Sequence, residues 1–470
     1  MKSALILAIE FAAVLGAQVP DFTPPTPLIA AVMHNNTEEA KRLLAAGADP
    51  NEARLVGFPA VFFPVAFRNA ELFHAMVAKG ADVQARDASG STALMWAAFN
   101  EAGDPALAEE LLQLGVDPNA KNQVGETALI WASRRGNTKV VAALERAGAS
   151  NPDGVRDSVQ RAIALLQKTS PQFIRVSGCV SCHNQSLPQM AAAAARAHGI
   201  VVDEKSSRLA TESTIAVVKP LMEDAEKSAD RVPDPSVSVS YLLLGLAADN
   251  YPADAYTKAM ARLVARWQME DGGFRVLPLR PPIESSHFTA TALSLRALQL
   301  YGEHPQDQVA RARAWLLSAK PETTEDRAMQ VLGLAWSNAE PKEIRERAQA
   351  LLAEQREDGG WSQLPALGTD AYATGQALVA LQRGAKLPAS DPAIQRGIAF
   401  LLRTQFADGS WLVRTRSFPF QPYKESGFPY GKDQWISAAG TSWAAMALSL
   451  ALPVQQEEPR VLYAVRSSGE

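Results

Sequence analysis

The chain has few cysteines and no excess of positive charge. Cys179 and Cys182 are the only cysteines in its 470 residues, so no other thiol of the chain can pair with either of them. The formal net charge is −4, with acidic and basic residues interleaved, which gives nucleic-acid binding no electrostatic support. After residue 17 no apolar stretch is long enough to cross a bilayer, so we predict no transmembrane span.

The remaining composition is that of a folded soluble protein. Hydrophobic residues make up 47% of the chain and charged residues 20%. A length of 470 residues exceeds that of one ordinary domain and predicts two or three.

Residues 1–18 have the features of a secretory signal peptide. Lys2 precedes an apolar run from Ala4 to Ala17, and a Pro-rich segment from Val19 to Pro27 follows. This order of charge, apolar core and small residues is typical of secretory signals. We therefore expect an exported protein that is periplasmic or extracellular. Glu10 interrupts the run, and a buried N-terminal helix is the alternative.

Residues 26–151 repeat with a period of about 33 residues. Gly47, Gly80 and Gly115 each end a predicted helix, where glycine accommodates the left-handed conformation. Thr26-Pro27-Leu28 and Thr92-Ala93-Leu94 open helices in the pattern that ankyrin repeats use. The segment resembles about four ankyrin repeats. The resemblance implies a concave face that binds a protein partner; packing against a neighbouring domain is the alternative.

A second repeat occupies residues 155–451, before a polar tail at 452–470. Gln268–Phe274, Gln355–Trp361 and Gln405–Trp411 share a glutamine, a glycine-containing turn and a ring. Each follows an apolar-periodic segment that we predict as an outer helix, and each precedes an alanine-rich one. The first outer helix of the unit is predicted over 155–168. Repetition on this scale predicts stacked helical hairpins, of which we count six.

These repeated turns resemble the QW repeats of squalene and terpenoid cyclases. The resemblance implies an all-α chain: an ankyrin solenoid followed by an (α/α)6 toroid with a central cavity. It also implies that the glutamines and rings join one hairpin to the next and are structural. The expected ligand is a hydrophobic or isoprenoid-like small molecule.

Candidate catalytic residues lie where the inner helices of such a toroid begin. The cyclases protonate an alkene with an Asp-x-Asp-Asp run, which this chain lacks; Glu325-Asp326 and Asp370 are the nearest approximations. His287 opens another inner helix and is expected to face the cavity. Aromatic candidates for the cavity wall are Tyr241, Tyr372, Trp435 and Trp443. Squalene cyclisation is therefore doubtful, and lyase, isomerase or redox activity stays open.

Cys179, Cys182 and His183 form a Cys-x-x-Cys-His motif. This spacing is that of c-type haem attachment, in which the cysteines bond the porphyrin and His183 ligates the iron. A local disulfide in an oxidising compartment and a metal site such as zinc are the alternatives.

The sequence thus predicts an exported ankyrin–toroid protein that binds a hydrophobic ligand, with haem c at the cavity mouth. The alternative is a non-catalytic module that binds a protein or glycan and holds a structural Cys179–Cys182 disulfide.

Overall fold

The computed structural model describes residues 24–51, 54–55, 57–99, 103–134, 138–147, 149, 154–178, 180–225, 232, 234–277, 280–417, 424–456 and 461. It divides into two compact units, Met1–Pro152 and Asp153–Glu470, and is mostly helical as predicted. No helix in the described ranges is both long and apolar enough to span a membrane. The signal-peptide prediction falls on residues outside these ranges.

The first unit is a row of short helical pairs. Its helices are α1 (Pro27–Met33), α2 (Thr37–Ala45), α3 (Phe62–Phe67), α4 (Ala70–Val77), α5 (Ala93–Ala98), α6 (Ala106–Gln113), α7 (Ala128–Arg134) and α8 (Thr138–Arg146). Strands β1 (Arg54–Leu55) and β2 (Phe58–Pro59) form an antiparallel pair in the second repeat.

Side-chain hydrogen bonds join successive pairs in this unit. Asn51 donates from Nδ2 to the Gly80 carbonyl at 2.8 Å, and Gln84 donates to the Gly115 carbonyl at 3.0 Å. The two carbonyls belong to glycines with φ of 83° and 82°, the left-handed geometry expected at these helix ends.

The second unit is a double ring of helices. The outer helices are α9 (Val155–Ser177), α11 (Glu204–Ala225), α13 (Ala255–Ala265), α15 (Gln306–Ser318), α17 (Pro341–Leu352) and α19 (Pro392–Thr404). The inner helices are α10 (Leu187–Ala197), α12 (Ser238–Ala248), α14 (His287–Tyr301), α16 (Thr324–Trp336), α18 (Ala371–Val379) and α20 (Gln434–Ser449). Each inner helix contacts the next, and α20 contacts α10, so the inner ring is closed.

Helix α9 is longer than the predicted 155–168. It continues through Pro171 to Ser177, and its last turns bury Phe173. A proline inside a helix removes one backbone hydrogen bond. Burial of the Phe173 ring offsets part of that loss. The periodicity at the start of the helix gave no indication that it would continue past the proline.

The three repeated turns make the same contacts. Gln268, Gln355 and Gln405 each donate from Nε2 to a carbonyl in the first turn of another outer helix, at 2.8, 2.8 and 2.9 Å respectively. The acceptor for Gln405 is Ser158, in α9. The last hairpin is thereby bonded to the first.

Gly409 shows why these turns need glycine. Its φ is 92°, and a Cβ there would lie 2.5 Å from the Arg161 backbone. Positive φ and close backbone approach each disfavour any larger residue.

Candidate functional site

Glu325 is a carboxyl group buried inside the ring. It lies in the first turn of α16 with only 5% of its surface exposed. Thr289 on α14 donates a 2.7 Å hydrogen bond to Glu325 Oε1, and the Tyr372 hydroxyl on α18 lies 3.4 Å from the same atom. Burial raises the pKa of Glu325 to about 8, and the Thr289 hydrogen bond opposes that rise only in part. At neutral pH this carboxyl is therefore mostly protonated.

Several polar atoms near Glu325 are buried without a hydrogen bond. Glu325 Oε2 and the Tyr241 hydroxyl have no hydrogen-bond partner among the residues that the structure describes. The Gln376 carboxamide lies close enough to Glu325 to lower its pKa, although it makes no hydrogen bond of normal geometry. Elsewhere on the inner ring, the indole nitrogen of Trp443 on α20 is also buried without a partner in the described ranges. Tyr241 and Tyr372 are fully buried, and the charge of Glu325 helps to raise the pKa of both, after burial itself. We call Glu325, Tyr241, Tyr372 and Gln376 the interior cluster.

Asp326 and Asp370 are bonded to the starts of their helices. Asp326 Oδ2 accepts from the Thr323 amide at 3.0 Å, and Oδ1 accepts from the Ser286 hydroxyl. Asp370 Oδ1 accepts from the Ala373 amide at 3.0 Å. These are N-terminal capping contacts. Burial raises the pKa of Asp370 to about 6, but its oxygens serve the α18 backbone and Gln363.

His287 and Trp435, two further candidates, lie outside the interior cluster. His287 is the first residue of α14, is exposed, and accepts a 3.4 Å hydrogen bond from the Val276 amide at Nδ1. Trp435 is half-buried, and its indole nitrogen donates to the Lys424 carbonyl at 3.2 Å.

His183 is packed between aromatic rings at the start of α10. Its imidazole stacks on Trp435 with centroids 5.4 Å apart, and the Phe173 ring meets it edge-on at 5.7 Å. Burial, aided by the charge of Arg280, lowers the pKa of His183 to about 3, so the ring is neutral. Cys182 is buried and forms no disulfide with any residue in the described ranges, and burial raises the pKa of its thiol to about 12. Such a thiol is a poor nucleophile.

Cys182 and His183 of the Cys-x-x-Cys-His motif are both in closely packed surroundings. Nε2 of His183 is buried with no hydrogen-bond partner in the described part of the chain, as an iron ligand would be. Because Nε2 is buried, a porphyrin bound there would require the side chains that cover it to move apart. Cys179 lies outside the described residues, so haem attachment and the disulfide both stay predictions.

Intact-mass analysis of exported protein, made in a host with c-haem maturation machinery, decides between these states. From the packing of His183 we expect the chain mass without a haem adduct. A mass two hydrogens below the reduced chain would identify the disulfide. An adduct that disappears in the Cys179→Ser, Cys182→Ser variant would contradict our expectation and show that the packing around His183 Nε2 opens.

Sequence reasoning missed three polar residues at this end of the toroid. Thr289 and Gln376 are ordinary helix residues by sequence, and only the ring brings them beside Glu325. Glu284, buried and paired with Arg280, precedes α14. Of the three, only Thr289 could have been found from the sequence. It follows Ser286 by one helical turn, a spacing that places it on the inward face of α14.

Comparisons with known proteins agree with this architecture. Residues 62–154 match three copies of the ankyrin repeat, and residues 26–54 match a further one. Residues 316–461 match the squalene-hopene cyclase C-terminal domain. The chain therefore carries ankyrin repeats followed by a terpenoid-cyclase-like domain, which indicates a terpenoid-related binding or catalytic role.

A curated relative covers part of the chain. Drimenyl diphosphate synthase of Streptomyces showdoensis is 29% identical over 161 residues, which are 31% of this chain and 30% of that protein. This chain thus matches less than a third of the relative's length. Of the candidate residues, Glu325, Asp326, Asp370, Tyr372, Trp435 and Trp443 lie inside the matched cyclase segment, whereas Tyr241 and His183 precede it.

Proposed function

We propose that the interior of the terpenoid-cyclase-like domain binds a terpenoid-related ligand at the interior cluster. The observation that carries this proposal is the set of buried polar atoms without partners, Glu325 Oε2 and the Tyr241 hydroxyl foremost among the described residues. Leaving such an atom unpaired costs about 1–3 kcal/mol. A ligand that hydrogen-bonds these atoms recovers part of that cost.

The surroundings of Glu325 suit a mostly hydrocarbon molecule with one polar group. Tyr241 and Tyr372 are fully buried near Glu325 and offer ring surfaces to apolar atoms. The relative's name refers to a terpenyl diphosphate, which supports a terpenoid as the ligand class. Binding sites of this kind are typically apolar with few polar groups that orient the ligand.

Glu325 is better suited to donate a hydrogen bond than to protonate an alkene. Its pKa of about 8 makes it a weaker acid than an ordinary carboxyl group. Protonation of a carbon–carbon double bond requires an unusually strong acid. A neutral carboxyl, in contrast, donates readily to a hydroxyl or carbonyl oxygen of a ligand.

Binding of farnesol, measured by isothermal titration calorimetry, tests this proposal. Glu325→Leu keeps the site apolar and removes the donor, so we expect about tenfold weaker binding, the cost of one hydrogen bond of about 1.4 kcal/mol. Glu357→Leu, an exposed change on the same domain, is the control and should bind as the parent does. Equal affinity in the two variants would contradict the role of Glu325, and no saturable binding to the parent would contradict the ligand class.

A second function, binding of a protein partner, is favoured by an aromatic cluster in the ankyrin unit. Its rings form a chain of contacts: Phe58 of β2 lies 5.0 Å from Phe63 of α3 and 5.0 Å from Trp96 of α5. Trp131 of α7 lies 5.6 Å from Trp96 and 5.5 Å from Phe99. Phe67 is 38% exposed and Phe99 44% exposed. Exposed aromatic residues are enriched where proteins bind partners.

Export remains part of the proposal. It rests on the N-terminal pattern of residues 1–18, and N-terminal sequencing of the secreted product should place the first residue near Gln18.

A further inference from the structure

The two oxygens of the Glu325 carboxyl group have different surroundings. Oε1 accepts hydrogen bonds from the Thr289 hydroxyl at 2.7 Å and from the Tyr372 hydroxyl at 3.4 Å. Oε2 is buried, and none of the described residues forms a hydrogen bond with it. Because the pKa of Glu325 is raised to about 8, the group carries a hydrogen at pH 7. That hydrogen belongs on Oε2, since Oε1 is already an acceptor.

A second buried hydroxyl near Glu325 is also without an acceptor. Tyr241 is fully buried on α12, and its hydroxyl has no hydrogen-bond partner within the described ranges. It lies close enough to Glu325 that the charge of the carboxyl, after burial itself, raises the pKa of the phenol. Such a phenol keeps its hydrogen at neutral pH, so Tyr241 is a donor.

The Gln376 carboxamide does not supply what these two donors lack. It is fully buried one helical turn after Tyr372, and neither its nitrogen nor its oxygen has a hydrogen-bond partner in the described part of the chain. An amide has as many hydrogens as its oxygen has lone pairs, so it adds donors together with an acceptor. A buried donor without an acceptor costs about 1–3 kcal/mol. The interior cluster therefore lacks a group that accepts hydrogen bonds and brings no hydrogen.

We propose that the ligand of the interior cluster is a terpenoid ketone or aldehyde, whose carbonyl oxygen accepts hydrogen bonds from Glu325 Oε2 and from the Tyr241 hydroxyl. This inference rests on the proposed terpenoid function and adds the functional group that the site recognises. A carbonyl oxygen has two lone pairs and no hydrogen, so it pairs both donors. An alcohol oxygen also accepts, but its own hydrogen then needs a further acceptor inside the cluster. A hydrocarbon pairs neither donor.

Isothermal titration calorimetry of the full chain with three matched compounds tests this preference. They are the isoprenoid ketone geranylacetone, the secondary alcohol made by reducing its carbonyl, and the hydrocarbon that lacks the oxygen. A ketone is chosen because it forms imines with lysine less readily than an aldehyde does. We expect the ketone to bind about tenfold more tightly than the alcohol, which corresponds to one net hydrogen bond of about 1.4 kcal/mol. The hydrocarbon should bind more weakly than either.

Variants that remove or keep one donor locate the preference at the interior cluster. Tyr241→Phe should weaken ketone binding several-fold, and it should fold as the parent does because the lost hydroxyl has no partner in the described structure. Glu325→Gln keeps an N–H donor and should bind the ketone within about twofold of the parent. Tyr301→Phe is the matched control: it removes a buried hydroxyl that donates to the Tyr251 carbonyl at 2.8 Å, at the other end of α14. Its ratio of ketone to alcohol affinity should equal that of the parent.

The carbonyl group itself provides a second readout. Hydrogen bonds polarise a carbonyl and move the nuclear magnetic resonance of its carbon downfield. With carbon-13 at the carbonyl of geranylacetone, we expect the bound signal downfield of its position in hexane. Part of this shift should be lost in Tyr241→Phe and none of it in Tyr301→Phe.

The possible failures of the two proposals can be told apart. Alcohol binding as tight as ketone binding, or a bound carbonyl signal at its hexane position, would overturn the carbonyl preference and leave the terpenoid proposal standing. A preference for the alcohol that Glu325→Gln abolishes would show an ionised carboxyl group that accepts from the ligand, and would overturn it too. Binding of none of the three compounds would overturn both proposals.

Discussion

Replacing Trp361 with alanine is expected to lower the free energy of unfolding of the toroid by about 3–5 kcal/mol. The indole is fully buried, and its nitrogen donates a 2.8 Å hydrogen bond to the Leu351 carbonyl at the end of α17. The Trp361 amide is also bonded at 2.9 Å to Thr374 Oγ1 on α18. Trp361 thus joins an outer helix through its side chain and an inner helix through its backbone amide. Alanine keeps the amide contact but loses the indole hydrogen bond and leaves a large cavity.

Urea denaturation followed by circular dichroism measures this loss. The two compact units are expected to unfold in separate steps, so the transition that shifts should belong to the toroid. Trp267→Ala is the matched control, since Trp267 is 37% exposed beside another repeated turn. We expect it to cost under about 1 kcal/mol. A Trp361→Ala protein of full stability that fails to bind farnesol would instead assign this ring to the ligand site.

Glu325→Gln is expected to stabilise the toroid at alkaline pH. The pKa of Glu325 is about 8 in the folded protein against a reference value of 4.5. Between these values the folded state binds more protons than the unfolded state, so stability falls as pH rises. Integrating the linkage between pH 6 and 9 gives a loss of about 2–3 kcal/mol from this group alone. The amide cannot ionise and should be free of that loss.

The measurement is the difference in unfolding free energy between Glu325→Gln and the parent at pH 6 and at pH 9. Taking the difference removes contributions that the two proteins share, such as that of Asp370, whose pKa is also raised. Glu357→Gln, at an exposed position, should show no such pH-dependent gain. A pH-independent difference between Glu325→Gln and the parent would mean that the carboxyl is hydrated or paired.

The predictions that succeeded rest on local repetition. The period of about 33 residues over 26–151 predicted ankyrin repeats, and the repeated turns from glutamine to an aromatic ring predicted a terpenoid-cyclase-like domain. Both domains, and the all-α fold class, are confirmed. Periodicity predicts helices because a helix packs one apolar face, and the residues on that face recur every three to four positions.

Candidate residues were harder to rank from the sequence. Glu325 and Asp326 are neighbours with similar chemistry, yet one is buried at the interior cluster and the other caps α16. Adjacent residues on a helix point about 100° apart, so position alone did not distinguish them. Asp370 was likewise a candidate catalytic acid, and in the structure it serves mainly as the N-terminal cap of α18.

By itself, the sequence determined the all-α fold class, the two kinds of repeat and the number of hairpins, because these depend on contacts within one or two repeats. Only the tertiary structure decided which side chains meet. Thr289, Glu325 and Tyr372 come from three inner helices and converge through closure of the ring. The raised pKa of Glu325 follows from burial. Burial is a property of the assembled ring that no single repeat possesses.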